Sequence, residues 1–440
     1  MASEHERAVA ALRASYAAAP RGRPIRLAKR TTNLFRSRTA HGRGLDAGGL
    51  TGVIEVDAAG RTADVQGMCT YERLVDATLP HGFMPLVVPQ LKSITLGGAV
   101  TGLGIESTSF RHGMSHESVL EADVFTGAGE LVTARPDGEH ADLFAALPNS
   151  LGSLGYATRL RIALQPIAAR VALRNVRFTD LDALVAAVEE VTSTGAWAGR
   201  AVDAMDGVLF RPDEAYLVLG TFTDDGGTTS DYTGQAIYYR SLRERATDLL
   251  SAYDYLWRWD TDWFWVSAAL GLQRPLVRRL WPARYRRSDV YHRLMRIDDR
   301  YRMIARLDRA PRERVVQDVE IPIERTAEFL RWLVEHVPIT PVWLCPLTPR
   351  RTAPLFPLAP GHTFVNVGFW GTVPAGRDTN RAVERAVAEL GGLKTLYSEA
   401  FYDREAFDRY YGGEVYRAVK ARYDPDHRLT GLYEKVVEGQ

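Results

Sequence analysis

The chain has 440 residues, 46% of them hydrophobic and 25% charged, with a net charge of +1. That balance fits a globular protein of two domains, or one large domain with a cap, and no global field argues for nucleic acid. Two cysteines, Cys69 and Cys345, make no disulfide framework, and no His/Cys/carboxylate spacing reads as a metal site, so a reducing cytosol is the simple expectation.

The opening segment, MASEHERAVAALRASYAAAPRGR, is Ala-rich and charged, and Glu4–Ala18 predicts a short surface helix. It lacks the continuous apolar core of a signal peptide or a membrane span. Arg far exceeds Lys, a usage that points to a GC-rich genome and a bacterial source. Ile54–Asp57 and Thr62–Gly67 alternate around the turn Ala58–Arg61, a hairpin pattern, and Thr70–Thr78 predicts a helix.

The stretch Val88–Gly113, VPQLKSITLGGAVTGLGIESTSFRHG, organises the rest. Gly97, Gly98, Gly102 and Gly104 sit among small and apolar residues, with Thr95, Ser107, Thr108 and Ser109 adding hydroxyls. Glycines let backbone approach a ligand, and successive N–H groups can line an anion-binding concavity such as a diphosphate needs. No Gly-Lys-Ser/Thr follows, so this is not a Walker loop; nor does Ile105–Ser109 read as the helix start of a Rossmann fingerprint. On the glycines alone, a structural turn is an equal alternative.

Ser118–Thr126 and Leu131–Ala134 predict strands around the turn Gly127–Glu130. Asp142–Ala146 starts a helix, Ser150–Tyr156 is a second glycine-containing loop, and Ala157–Leu164 is a strand. From Arg170 the pattern is mixed: strand Val171–Phe178, helix Leu181–Thr192, and a hairpin of Gly207–Phe210 with Ala215–Leu219. Strands Val319–Ile323, Val342–Leu344 and Thr363–Trp370 follow, with helices Thr326–His336 and Thr379–Gly391. The insertion 252–302 opens with YDYLWRWDTDWFWVSAALGL and continues as RPLVRRLWPARYRRSDVYHRLMR. A Trp-bearing, Arg-rich stretch can lie on an anionic bilayer surface; the alternatives are a core segment with a solvated basic face, or an oligomer interface.

The combination of Gly97-Gly98 with Gly102-Leu103-Gly104-Ile105-Glu106-Ser107-Thr108-Ser109 resembles the FAD domain of the vanillyl-alcohol oxidase superfamily, and within it the Δ24-sterol reductases. Val315-Val316-Gln317-Asp318 with Ile321-Pro322, Val342–Pro346, and Asp403-Arg404-Glu405 with Phe407 extend the resemblance over roughly residues 25–425. It implies an α+β fold: a two-subdomain PCMH-type FAD-binding domain plus an α+β substrate cap domain. The implied division is an N-terminal helix over 1–23, the FAD-binding domain over 24–168, the cap over 169–395 with the insertion 252–302, and a C-terminal segment over 396–440 that returns to the FAD domain.

The same resemblance implies cofactor contacts at Thr31, Thr32, Asn33, Thr95, Leu96, Gly97, Gly98, Gly102, Gly104, Ile105, Glu106, Ser107, Ser109, Gly113, Gly152, Gly155 and Ile162. Lys29–Leu34 carries neither the glycines nor the flavin-linking histidine of many members, so FAD is expected to be non-covalent. NADPH is the implied electron donor. For catalysis the candidates are Glu106, Arg111, His112 and Tyr402, while Trp343 and Cys345 are expected to line the cap. The competing reading of Glu106 is a loop-organising carboxylate that accepts backbone N–H bonds, and that of Arg111 and His112 is a surface or diphosphate contact.

The implied reaction is reduction of an unactivated C=C bond in a lipid. The first expectation is a 10-methylene fatty-acyl chain of phospholipid, reduced to the 10-methyl branch as in the actinobacterial route to tuberculostearic acid, with a methyltransferase as partner. The alternatives are a sterol Δ24 bond, oxidation of an alcohol or polyol, and a non-catalytic lipid-binding protein. A place at the inner face of the cell membrane, with peripheral contact through 252–302, goes with the first expectation.

Overall fold

The computed structural model describes residues 3–29, 43–301 and 311–439. Its fold is α+β, built on two large antiparallel sheets. The smaller sheet orders strands Val53–Asp57, Thr62–Gln66, Tyr156–Pro166, Val119–Phe125 and Leu131–Ala134, with Phe83–Pro85 also pairing on Tyr156–Pro166. The larger sheet has eight strands. Their order is Thr247–Ser251, Arg170–Phe178, Glu214–Thr223, Ala204–Arg211, Val342–Leu347, Phe364–Pro374, Arg312–Pro322 and Leu393–Lys394.

Side chains alternate between the two faces of a strand, and the larger sheet uses both. Val315, Val319, Ile321, Leu344, Val365 and Val367 point to a face covered by the helices Leu181–Thr194, Ile323–His336 and Thr379–Glu389. Trp343, Cys345, Val208 and Leu173 point to the other face, in the core shared with the smaller sheet. That second face meets the glycine-rich stretch: Met205 N–H donates to Ser107 O at 2.7 Å and Thr348 N–H to Ser109 O at 3.2 Å.

The helix Tyr71–Thr78 forms where its pattern predicts, capped by Thr70, whose side chain accepts from Arg73 N–H. The glycine stretch departs from the loop expectation. Leu96–Gly102 is a short helix, because Thr95 caps it by accepting from Gly98 N–H at 3.2 Å. Gly97 N–H donates to Gly67 O at 2.9 Å, and a Cβ on Gly97 would stand 2.7 Å from that oxygen. Close backbone approach, rather than a left-handed turn, is what glycine supplies here.

The chain's ends knit together. Ile25 N–H donates to Arg428 O at 2.8 Å, and Ala128 N–H to Tyr423 O at 3.0 Å. Lys420 Nζ donates to Ser153 O at 2.7 Å and pairs with Asp424, whose carboxylate also accepts from Arg428 and Leu429 N–H. No described helix is long and apolar enough to cross a membrane.

The insertion divides in two. Its aromatic half is core: Trp257, Trp259, Trp263, Phe264 and Trp265 are buried, which agrees with the core-segment alternative for this half. Phe264 lies 4.8 Å from Trp259, 5.4 Å from Trp343 and 4.8 Å from Trp370 by ring centroids, so these rings gain more by packing on the larger sheet than by facing a membrane. Two of its arginines are structural as well. Arg278 is buried against Asp262 at 2.7 Å, and Arg286 caps the carbonyls of Gly234 and Trp281. The helix Pro275–Leu280 faces outward: Leu276 is 77% and Leu280 82% exposed, flanked by exposed Arg274, Arg279 and Arg284.

Candidate functional site

Two turns meet the end of the glycine helix. Leu151 N–H donates to Thr101 O at 3.0 Å, and Ser115 N–H to Gly104 O at 2.8 Å. Gly152 and Gly155 take positive φ in the first turn, conformations that favour glycine. Gly104 is packed so closely that a Cβ would lie 2.7 Å from Ser115 Oγ and 2.8 Å from Pro89 Cγ. Gly102 differs: its nearest neighbour would be Leu151 Cδ2 at 3.6 Å. Around these turns buried polar atoms, among them His116 Nδ1, Asn149 Oδ1 and Ser150 Oγ, have no hydrogen-bond partner among the described residues. Burial holds the His116 imidazole neutral, its pKa lowered to about 3 with a contribution from Arg351. Buried polar atoms normally find partners, so orphaned polar atoms near a Gly102 that no neighbour crowds fit a polar cofactor such as a flavin dinucleotide.

Of the expected contacts, Thr95, Leu96, Gly97, Gly98, Gly102 and Gly104 are brought together on this helix and its exit, with Gly152 and Gly155 beside them. Ile105, Ser107, Ser109 and Gly113 continue the same segment, and Ile162 is buried in the smaller sheet. A Cβ at Gly113 would fall inside the Glu117 carboxylate, which also ties down Met114, Arg350 and Arg351 through their N–H groups. Thr31, Thr32 and Asn33 lie outside the described residues.

The four catalytic candidates separate. Glu106 is fully buried and faces the larger sheet; its carboxylate accepts from Ser107 and from Arg258 Nη2 at 2.6 Å. Arg258 also reaches Asp206 at 3.0 Å, and Asp206 Oδ2 accepts from Trp259 Nε1 at 2.8 Å and Trp343 Nε1 at 3.1 Å. Tyr255 OH stands 2.7 Å from Ser107 Oγ, and the Arg258 guanidinium lies 4.0 Å from the Tyr255 ring centre. Burial raises the Glu106 pKa, the Arg258 charge opposes that rise, and Asp206 adds to it. Burial alone would lower Arg258, but Asp206 and then Glu106 hold it firmly charged. One guanidinium thus binds two carboxylates in a dry junction between the glycine stretch and the larger sheet. Glu106 is fixed as an ion-pair partner.

Arg111 is exposed and pairs with Asp203 at 3.1 Å. His112 Nε2 is 3.0 Å from Gln165 Oε1, and burial lowers its pKa. Tyr402 packs on Tyr410 and Tyr411, with its hydroxyl pKa raised by burial and then by the Glu384 charge. None of the three is among the partners of Glu106, Arg258 or Asp206. Cys345 is buried, its thiol pushed far up by burial, and so is inert.

Sequence reasoning missed Arg258 and Asp206, which stand 152 and 100 positions from Glu106 and follow no spacing rule. It also missed a polar set on the inward face of the larger sheet. Asn366 pairs in register with both Cys345 and Glu320, and Gly368 with both Trp343 and Asp318. Asp318 accepts from Asn366 Nδ2 at 2.9 Å and from the Tyr397 hydroxyl. Burial raises Asp318 to about 7, the Asn366 hydrogen bond opposing it; Glu320 rises further through burial and then the Asp318 charge.

Comparison with known proteins bears on this geometry. Residues 3–135 match the model of an FAD binding domain. A Δ24-sterol reductase of Arabidopsis thaliana is 24% identical over 90% of this chain and 77% of its own length. The Δ24-sterol reductase of Homo sapiens is 22% identical over 88% and 76%. Cytokinin dehydrogenase 2 of Oryza sativa subsp. japonica is 34% identical over 36% of this chain and 29% of its own. Both kinds of relative are oxidoreductases, and the glycine helix with its orphaned polar atoms falls within or beside the matched domain. The chain is an FAD-binding oxidoreductase of PCMH-type α+β fold that resembles the Δ24-sterol reductases.

Proposed function

We propose that this chain reduces an unactivated C=C bond in a lipid, drawing electrons from NADPH, and that its substrate is a 10-methylene fatty-acyl chain of phospholipid. The observation that carries the reductase reading is the likeness to Δ24-sterol reductases, which runs through both sheets rather than the FAD-binding domain alone. The lipid reading draws on the outward helix Pro275–Leu280, where Leu276 and Leu280 are exposed and exposed Arg274, Arg279 and Arg284 lie on it or within four residues of it. Apolar side chains ringed by cations suit the boundary of an anionic bilayer, at the inner face of the membrane, where a methyltransferase would build the methylene group.

Non-covalent FAD would be held by the helix Leu96–Gly102, the Gly104 exit and the turns of His116 and Asn149–Gly155. When bound, such a cofactor supplies the transfer of two electrons as hydride. The chain's own residues do the rest. Arg258, with Glu106 and Asp206, locks the larger sheet onto the glycine stretch, so that substrate and cofactor are held by parts that do not move independently. The rings of Trp259, Phe264, Trp343 and Trp370 exclude water over the inward sheet face.

The test is anaerobic: FAD-loaded protein, NADPH, and vesicles of phospholipid bearing a 10-methylene octadecanoyl chain, with the fatty acids read by mass spectrometry. A gain of two hydrogens on that chain supports the proposal. Bleaching of the flavin by NADPH without product would move the substrate to a sterol Δ24 bond, the reading favoured by the names of the relatives themselves. Absence of both would defeat the reductase reading.

A further inference from the structure

An isolated alkene is a poor acceptor of hydride, so a reductase of the kind proposed needs a strong proton source at the second carbon. Glu106 does not meet that need, because its carboxylate is already bound to Arg258 and Ser107. The inward face of the larger sheet offers another group. We propose that Glu320 is the catalytic acid, and that Asp318 and Asn366 position it; the role rests on the reductase reading above.

Four observations lead there. Glu320 is fully buried, and neither carboxyl oxygen has a partner from another described residue. Asn366, directly across in register and also fully buried, leaves its own Oδ1 unpartnered, so two side chains paired across the strands both carry unused polar atoms on the same sheet face. Asp318 sits two residues along the strand, on the same face, about 7 Å away by strand geometry. The same face carries Trp343 and Trp370, which Phe264 covers, so the surroundings are apolar as a lipid alkene requires.

Two carboxyl groups this close in a dry setting do not both ionise, because each charge penalises the other and neither is solvated. The cation nearest along the sheet, Lys394, is engaged elsewhere, with Glu384 at 3.5 Å and the Glu399 carbonyl. The other titratable groups facing the pair are Tyr397, whose hydroxyl donates to Asp318, Cys345 across the sheet and Tyr411; burial pushes the Cys345 thiol and the Tyr411 hydroxyl far up, so both stay uncharged. Glu320, whose anion no other described residue stabilises by a hydrogen bond, keeps the proton. The raised values of both carboxyls follow from this arrangement.

In the step proposed, the π pair of the C=C bond takes the Glu320 proton at one carbon. Bound FAD would supply the hydride that the other carbon accepts, its two electrons coming from NADPH. Glu320 is left as a carboxylate and regains its proton from water.

The test joins spectroscopy to turnover on the FAD-loaded protein. Infrared spectra of wild type at pH 7 should show a protonated-carboxyl stretch that is lost in Glu320→Gln. Saturation of the 10-methylene chain in phospholipid vesicles, or of a Δ24-sterol in the same vesicles, should fall at least about 100-fold in that variant, the usual worth of a general acid. Glu320→Asp should recover part of it. Asp318→Asn removes the neighbouring charge, makes Glu320 more acidic, and should move the alkaline fall of the rate to lower pH. A Glu320→Gln rate within threefold of wild type overturns the acid role and leaves the reductase reading intact. If Glu320→Gln does not fold, an unshifted profile in Asp318→Asn, or the absence of a protonated carboxyl in wild type, overturns it instead. Wild type that saturates neither probe refutes the reductase reading, and this role with it.

Discussion

Replacing Leu276 and Leu280 together by serine tests the proposed lipid surface most directly. Fully burying a leucine is worth roughly 1.5–3 kcal/mol. Scaled by their exposures of 77% and 82%, the two leucines together contribute about 2.4–4.8 kcal/mol to insertion at a bilayer boundary. Exposed Arg274, Arg279 and Arg284 add about 1 kcal/mol each near an anionic surface. At 1.4 kcal/mol per factor of ten, the double substitution should weaken binding to anionic vesicles by about fifty-fold or more. Flotation at two salt concentrations separates the contributions: the arginine part fades with salt, and the leucine part does not. Both leucines make little contact with the core, so folding stability should change by no more than about 0.5 kcal/mol. Flotation within threefold of wild type, with the protein folded, would refute the assignment of this helix to a lipid surface.

Two further perturbations probe the interior. Gly97→Ala places a methyl group 2.7 Å from the Gly67 carbonyl, backbone against backbone, and should cost about 1–3 kcal/mol in urea unfolding. Gly102→Ala meets only Leu151 at 3.6 Å and should leave the apoprotein as stable as wild type, yet weaken FAD binding by about tenfold, or 1.4 kcal/mol; unchanged flavin titration would remove Gly102 from the cofactor site. Arg258→Met strands Glu106 and Asp206 as unpaired buried carboxylates and should cost about 3–5 kcal/mol. Adding Glu106→Gln and Asp206→Asn should return most of that stability, and failure of the triple variant to recover would show that the cost lies in packing rather than charge.

Local signals carried much of the fold. Thr70 before an apolar-periodic run marks the helix Tyr71–Thr78, and alternation marks Val53–Asp57, Thr62–Gln66 and Glu214–Thr223. The helix Leu96–Gly102 was not legible, because its glycines are poor helix formers and its stability comes from the Thr95 cap and the Gly67 backbone. The insertion stayed undecided between core and surface for a different reason. Trp and Tyr beside Arg have the same composition whether they pack inward, as Trp259 and Arg278 do, or face outward, as Leu280 and Arg279 do. The Arg258 junction and the Glu320–Asn366 pair are products of sheet register, which joins residues dozens of positions apart.

The knitting of the two chain ends has a consequence for biosynthesis. The turn Ser150–Gly155 is anchored by Lys420, the Ile25 strand by Arg428, and the turn after Val119–Phe125 by Tyr423. A ribosome releases those anchors hundreds of residues after the smaller sheet has emerged. The nascent flavin-binding half must therefore wait, incomplete, while the whole larger sheet is synthesised. Contacts of such long sequence separation are slow to form and leave apolar surface open in the interval. Supply of the dinucleotide and the holding of the unfinished sheet by chaperones should then govern yield in a host more strongly than the stability of the finished enzyme does.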